Sequence, residues 1–157
     1  MPDGLYERDA LAWAERQAGL LRRLAAGELL NEPVDWAHVI EEVANVGLSE
    51  LRACRSLLRQ ALVHLLKLHA LPDSPAAAHW RGEARGFLAD ARDRFSPSMR
   101  QRIDLAEAYA DALDQMRDEA DDAGEARALP ETCPFGLDDL VSGRPEVAAL
   151  VGRLGVA

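Results

Sequence analysis

Two clusters of polar residues in this sequence are of types that can do chemistry. The first is Glu41-Glu42, with His38 one helical turn earlier. Paired carboxylates hold divalent cations or transfer protons, and the three-residue spacing places His38 and Glu41 as two potential metal ligands on one side of a helix. The sequence identifies no further ligands. The alternative is that the glutamates form ion pairs with Arg22 or Arg23 of a facing helix, or lie in solvent.

The second cluster lies at the end of the same predicted helix and the start of the next. His64 and Lys67 are three residues apart and share a side of the helix. Across the following turn, Trp80, Arg81 and Arg85 can face them. Such a cluster can bind an anion, because guanidinium groups match phosphate and carboxylate geometry and an indole offers a flat surface. The alternative is that Trp80 is a core residue and that the cations pair with nearby acids.

A third group is the acidic end of the fourth predicted helix. Its members are Asp111, Asp114, Asp118, Glu119, Asp121 and Asp122. Their spacing lacks the pattern of a calcium-binding loop, so it indicates a solvated face. The sequence also contains no Ser–His–Asp set, nucleophile elbow, glycine-rich phosphate loop or Cys/His zinc spacing. Enzymatic activity is therefore left open, and no cofactor is predicted.

One long helix, predicted over Asp35–Leu71, must position the first two clusters. Apolar or small residues recur along it at three- and four-residue steps: Trp36, Ile40, Val43, Gly47, Leu51, Cys54, Leu58, Ala61, Leu62, Leu65 and Leu68. This spacing is typical of one face of an α-helix. A second stripe widens that face: Val39, Val46, Leu57 and His64. We therefore expect this helix to pack against more than one neighbour.

The ends of the long helix are marked by local signals. Asp35 is a predicted N-cap, and Pro33 and Pro72 bound the helix on either side. Glu41 and His64 would lie about 35 Å apart along an unbroken helix, so the two clusters cannot form one site. Gly47 can either kink the helix or let another backbone come close, and a slightly bent continuous helix is expected rather than two separate ones.

The remaining helices follow from apolar spacing and from caps and breakers. They are Leu5–Ala26, a third helix reaching about Phe95 after the Ser74-Pro75 start, a fourth from Ser96-Pro97 toward Ala123, and short helices near Leu137–Val141 and Pro145–Arg153. The sequence thus predicts an all-α protein, a bundle of four main helices around the long central one, in a single domain over residues 1–157. Antiparallel neighbours would place Arg22 and Arg23 near Glu41, and Trp80 and Arg81 near His64 and Lys67.

Composition narrows the class of partner. The net charge of −9 argues against binding to nucleic acid through its phosphates. Cys54 and Cys133 form neither a disulfide framework nor a metal site. Without a signal peptide or an apolar run long enough for a membrane span, the sequence predicts a cytoplasmic protein that does not bind membranes.

The order of several residues resembles the bacterial family called domain of unknown function 29. The resemblance covers nearly the whole chain and depends on Asp9, Trp13, Gln17, Leu20-Leu21-Arg22, Glu41-Glu42, Gly47, His64-Leu65-Leu66-Lys67, Trp80-Arg81, Arg85, Ser96-Pro97-Ser98, Tyr109 and Cys133-Pro134. It implies a compact helical fold without an established activity. It also draws attention, without assigning roles, to Trp13, Arg22, Glu41, Glu42, His64, Lys67, Trp80 and Arg81.

Two functional hypotheses follow. The first is a non-enzymatic interaction or regulatory module that binds a protein partner or itself, because the long helix is broadly apolar and a catalytic constellation is missing. The second is a metal-dependent enzyme acting on a phosphorylated substrate, with carboxylate ligands at the Glu41-Glu42 end and His38 and Glu41 as metal candidates.

Overall fold

Helices account for the regular structure of this protein. The computed structural model describes residues 4–120 and 128–156. Within these ranges there are seven α-helices, one 3-10 turn (Pro97–Met99) and no β-strand. The helices are α1 (Leu5–Arg8), α2 (Ala10–Ala25), α3 (Trp36–Ala70), α4 (Ala77–Arg94), α5 (Leu105–Ala120), α6 (Leu137–Val141) and α7 (Val147–Leu154). The predicted all-α fold is confirmed, with four main helices, the longest of them central, and short helices near the C-terminus.

Helix α3 is the longest element, with 35 residues. It begins directly after Asp35, whose carboxylate accepts a hydrogen bond from the backbone N–H of His38, as an N-cap does. It ends at Ala70, two residues before Pro72. The predicted helix over this region is therefore confirmed to within a residue at each end. No helix in the described ranges is both long and apolar enough to cross a bilayer.

Contacts divide the chain into two compact units, Met1–Leu48 and Ser49–Ala157, with the boundary inside α3. The first unit contains α1, α2 and the beginning of α3. Its buried side chains among the described residues are Trp13, Gln17, Leu20 and Val34. The prediction of one domain over residues 1–157 remains a prediction.

The first predicted helix is divided in two. Asp9 adopts a non-helical backbone between α1 and α2, and its carboxylate accepts a hydrogen bond from the backbone N–H of Ala12 at 3.0 Å. Asp favours the N-cap because its side chain satisfies an N–H group that has no partner within the helix. The prediction of a continuous helix from Leu5 was wrong at this residue.

The second unit surrounds the rest of α3. Its fully buried large side chains come from α3, from α5 and from the two short C-terminal helices; they are Leu58, Leu62, Val63, Leu65, Leu66, Tyr109, Leu140 and Leu154. Helix α5 runs parallel to this part of α3, as a series of polar contacts shows. Arg55 pairs with Asp111 at 2.8 Å, and further along Lys67 pairs with Glu119.

Two further predictions about the fourth helix have different outcomes. Ser96-Pro97 begins a 3-10 turn, and α5 starts only at Leu105, after Asp104 caps it by accepting from the backbone N–H of Glu107 at 3.0 Å. The predicted start was therefore about two turns too early. Its predicted end near Ala123, with Asp121 and Asp122, lies outside the described residues.

Candidate interaction surface

The most unusual surface of the first unit is an apolar stripe on α3. Trp36, Ile40, Val43 and Val46 are exposed to 53%, 65%, 71% and 66%. We call these four residues the exposed stripe. Gly47 follows them on the same side, and a Cβ atom built on it would meet nothing within 4 Å. Isolated surface leucines are ordinary, but four large apolar side chains at helical spacing form a contiguous patch.

The stripe is exposed because the helices of the first unit pack against another side of α3. The Tyr6 hydroxyl donates to Glu42 Oε1 at 2.5 Å, and the Tyr6 ring stacks on His38 at 4.0 Å between centroids. His38 and Glu42 are turned by about 200° and 240° from Trp36 around the helix axis. The prediction that this apolar face is a packing face is therefore wrong, within the first unit, for the exposed stripe.

A polar cluster fixes the beginning of α3 in the first unit. Asp35 Oδ2 accepts hydrogen bonds from Trp13 Nε1 at 3.0 Å and from His38 Nδ1 at 2.7 Å. The Asp35 backbone N–H donates to Gln17 Oε1 at 2.9 Å. The bond to His38 lowers the pKa of Asp35, and the same bond raises the pKa of His38. The hydrogen bond to Glu42 raises the pKa of Tyr6 to about 12.

These contacts show where the residues of the first predicted polar cluster lie. His38 is engaged by Asp35 and Tyr6, while Glu41 is exposed and points away from the exposed stripe. Within the described part of the chain, no group of three or more His, Cys, Asp or Glu side chains can hold a metal ion. What the arrangement does is orient α3 against α1 and α2.

The predicted register of the first helix against α3 was wrong. Asp35 contacts Trp13 and Gln17, so the end of α2 lies beyond the first residue of α3. Arg23 accordingly pairs with Glu28 at 2.8 Å, in the connection between the helices. Arg22 is exposed, and neither arginine pairs with Glu41 or Glu42. The ten-residue connection, which a simple hairpin model ignores, shifts the register.

The second predicted cluster is only partly brought together. Lys67 forms an ion pair with Glu119 and lies 5.9 Å from the Trp80 ring centroid. His64 Nδ1 hydrogen-bonds to the Gln60 carbonyl oxygen at 2.8 Å. Lys67 lowers the pKa of Glu119 through their hydrogen bond. Lys67 therefore lies near Trp80, as predicted, but its charge is already balanced by an acid on α5.

Arg81 and Arg85 belong to a different place in the second unit. They line a cavity to which Arg92 of α4 and Arg144, just before α7, also contribute. Sequence reasoning missed both of these arginines. The spacing of residues 81, 85 and 92 on one side of a helix was visible in the sequence, whereas the approach of Arg144 is a product of tertiary folding.

Comparisons with known proteins agree with this fold. The family model described as Domain of unknown function DUF29 matches residues 5–144. A crystal structure of an alpha-helical protein of unknown function from Rhodospirillum rubrum is similar, with 29% sequence identity and a TM-score of 0.73. The match covers 95% of this chain and 96% of that one. No curated protein matches the chain.

Proposed function

We propose that this chain, which belongs to the family described as Domain of unknown function DUF29, is a helical interaction module that pairs with a second copy of itself. The observation that carries the proposal is the exposed stripe on α3. The pairing surface is the stripe together with Gly47. The area, charge and shape of this surface, and the stability of the first unit, support a second copy as the occupant.

The exposed stripe is large enough to form the centre of an interface. An aromatic side chain presents roughly 150–250 Å² and the aliphatic ones less, so the four partly exposed side chains leave on the order of 450 Å² in contact with water. Stable interfaces bury about 800 Å² on each partner, including a polar rim. The stripe and its immediate flanks can therefore supply the centre of an interface of ordinary size.

The side of α3 that carries the exposed stripe is uncharged. Between Trp36 and Leu48, the half of the helix circumference centred on the exposed stripe carries no charged residue. Glu41 and Glu42 lie on the other half. Two copies of an acidic chain can therefore bring these faces together without burying an unpaired carboxylate. A nucleic acid would find no cation on this surface.

The shape of the exposed stripe complements a second copy of the stripe. When two copies of α3 run antiparallel about a two-fold axis between residues 41 and 42, Trp36 meets Gly47 of the second copy and Ile40 meets Val43 of the second copy. The largest side chain then lies over the position without one, where open space is available. A two-fold interface requires a surface that complements itself, and the exposed stripe does so in this direction.

The first unit has few buried side chains to stabilise it. The first unit has 48 residues, but its buried side chains among the described residues are four. Units of this size bury a small share of their surface and are correspondingly marginal in stability. Pairing through the exposed stripe would add apolar burial to the unit that has least of it.

The experiment compares Val43→Glu with Leu11→Glu by sedimentation equilibrium. Both side chains are exposed to 71%, but Leu11 lies on the side of α2 away from the buried Trp13. We expect the wild-type chain to dimerise, Val43→Glu to raise the dimer Kd about 100-fold or more, and Leu11→Glu to leave it unchanged. A monomeric wild type would contradict the proposal and leave a different protein as the occupant. An equal effect of both variants would also contradict it.

The register is tested by cross-linking. Mixed oxidation of an Ile40→Cys chain with a Val43→Cys chain should give cross-linked dimers faster than either variant alone. Faster cross-linking of Ile40→Cys with itself would reject the antiparallel arrangement described here.

We also propose that the protein acts in the bacterial cytoplasm. Cys54 and Cys133 are both free thiols, as expected in a reducing compartment. Cell fractionation checks this location, and recovery in the periplasm would contradict it.

A further inference from the structure

The second unit contains a cavity of about 530 Å³ between α4 and the segment that leads into α7. Helix α4 contributes Arg81, Arg85, Leu88, Ala89 and Arg92, and the facing segment contributes Arg144 to Ala148. This volume lies within the range of small-molecule sites, roughly 300–1,000 Å³. The cavity is separate from the exposed stripe and does not depend on the proposed pairing.

The charge of this cavity is opposite to that of the chain. Four guanidinium groups line it against one carboxylate, that of Glu146, although the chain as a whole carries a net charge of −9. Arginines elsewhere, such as Arg55 and Arg94, form ion pairs with acids. Within residues 4–120 and 128–156, the guanidinium groups of Arg81, Arg85 and Arg144 form no hydrogen bond or ion pair. Guanidinium groups that no protein acid pairs with are available to an anionic ligand.

Arg92 holds the cavity together rather than leaving its charge free. Its Nη1 donates to the carbonyl oxygen of Gly143 at 2.9 Å, and its Nε lies 3.8 Å from Asp93 Oδ1. Gly143 has a φ of 65°, a conformation that glycine adopts without strain. This hydrogen bond ties the turn before Arg144 to α4, so the fourth guanidinium group is brought to the other three by the backbone.

The first turn of α7 adds to the positive potential. Val147 and Ala148 line the cavity, and the N-cap residue Glu146 makes no side-chain hydrogen bond to the helix. The first N–H groups of a helix lack intrahelical partners and carry partial positive charge. They therefore add to the positive potential of the arginines.

We propose that this cavity binds a small phosphate monoester with an aliphatic body. A phosphate group has three strong acceptor oxygens and up to two negative charges, so it can engage several guanidinium groups at once. The lining between the arginines is aliphatic, from Leu88, Ala89, Pro145, Val147 and Ala148. None of the lining residues is aromatic, so a nucleobase would find no ring to stack on.

The test measures binding to the full chain by isothermal titration calorimetry at low salt. The probes are n-butyl phosphate, inorganic phosphate and succinate. We expect n-butyl phosphate to bind more tightly than inorganic phosphate, because its chain can cover the aliphatic lining, and succinate to bind least tightly. Tighter binding of succinate would overturn the phosphate assignment. Equal binding of n-butyl phosphate and inorganic phosphate would overturn the proposal that the ligand has an aliphatic body.

Matched variants localise the binding. Arg81→Gln/Arg85→Gln removes two cations from the cavity, and Arg52→Gln/Arg102→Gln removes two exposed arginines elsewhere in the same unit. The first pair should weaken binding of n-butyl phosphate about 100-fold, at about tenfold for each charged hydrogen bond, and the second should change it less than threefold. Equal weakening by both pairs would show attraction by net charge alone and overturn the site.

A third variant separates lost binding from lost folding. Ala148→Glu adds a carboxylate in the first turn of α7, where a negative charge stabilises a helix. It should abolish binding while leaving thermal stability unchanged or raised. Retained binding in Ala148→Glu, or no binding by the wild type, would overturn the proposal. Val43→Glu should bind n-butyl phosphate normally, because that variant tests the pairing alone.

Discussion

Helix α3 carries the same surface twice, with opposite outcomes. Positions 18 residues apart are about five turns apart, so Ile40 and Leu58 have the same angular position, as do Val43 and Ala61. Leu58 and Ala61 are completely buried in the second unit, whereas Ile40 and Val43 are exposed in the first. The spacing of apolar residues is the same in both halves, but the described helices of the first unit leave it exposed in the first half.

What differs is the side from which neighbours approach. In the second unit, α4 and α5 supply buried partners such as Leu88 and Tyr109 to the core around α3. In the first unit, Tyr6 stacks on His38, on the side away from Trp36, and Trp13 bonds to Asp35 just before the helix begins. An apolar helical face therefore indicates that something must cover it, while hydrogen-bonding residues elsewhere on the helix decide where the chain's own helices attach.

The largest expected effect is the difference in unfolding free energy between truncations at two equivalent positions of α3, Leu58 and Ile40. Leu58→Ala should lower the free energy of unfolding by about 3 kcal/mol, because it leaves a cavity in a packed core. Ile40→Ala should change it by less than about 0.5 kcal/mol in the monomer, because the side chain is already in water. Urea denaturation at protein concentrations below the dimer Kd checks both. Equal losses would mean that the exposed stripe is packed within the monomer.

A smaller effect is expected at Gly47, whose counterpart five turns later is the buried Leu65. Gly47→Ala should raise monomer stability by about 1 kcal/mol, because glycine is unfavourable inside a helix and the added Cβ meets nothing. The same change should weaken pairing, since the indole of the second copy needs that space. Gly82→Ala on α4, also in open space, is the control and should stabilise without affecting pairing. Stronger pairing of Gly47→Ala would contradict the proposed register.

The smallest effect concerns pH and the first unit. The pKa of His38 is raised, so its contribution to stability is present below its ordinary pKa of about 6.5 and is lost as the pH rises through the raised value. The pKa of Asp35 is lowered, so its contribution is present above about 4 and is lost as the pH falls through the lowered value. Stability from this pair should therefore be greatest between about pH 4 and pH 6.5.

Urea denaturation at fixed pH values, followed by circular dichroism, checks this window. His38→Gln serves as the control, because it removes the group that titrates at the upper end. A wild-type decline above pH 6.5 that persists in His38→Gln would show that another group is responsible.

Local sequence signals predicted most of the helices and several of their ends. Asp35 capped α3 as expected, and the short helix at Leu137–Val141 lies where it was predicted. Errors arose where two signals compete over a few residues. Asp9 interrupts an otherwise helical run because its side chain offers an alternative partner to the backbone, and Asp104 rather than Ser96 provides the cap at which α5 begins.

The candidate sites were less accessible to prediction than the helices. Glu42 and Lys67 were identified as polar residues of interest, but their partners, Tyr6 and Glu119, come from elsewhere in the chain. The cavity could be recognised only in part, because Arg92 shares the spacing of Arg81 and Arg85, while Arg144 is brought in by a hydrogen bond to Gly143.

The sequence by itself determined that the chain is helical, where its longest helix begins and ends, and which positions on that helix are apolar. These follow from propensity, capping and a period of 3.6 residues, all of which act between near neighbours. The tertiary structure alone decided which part of the apolar face is covered and which arginines converge. Those outcomes depend on contacts between residues far apart in the chain, whose register is set by connections and side-chain hydrogen bonds rather than by periodicity.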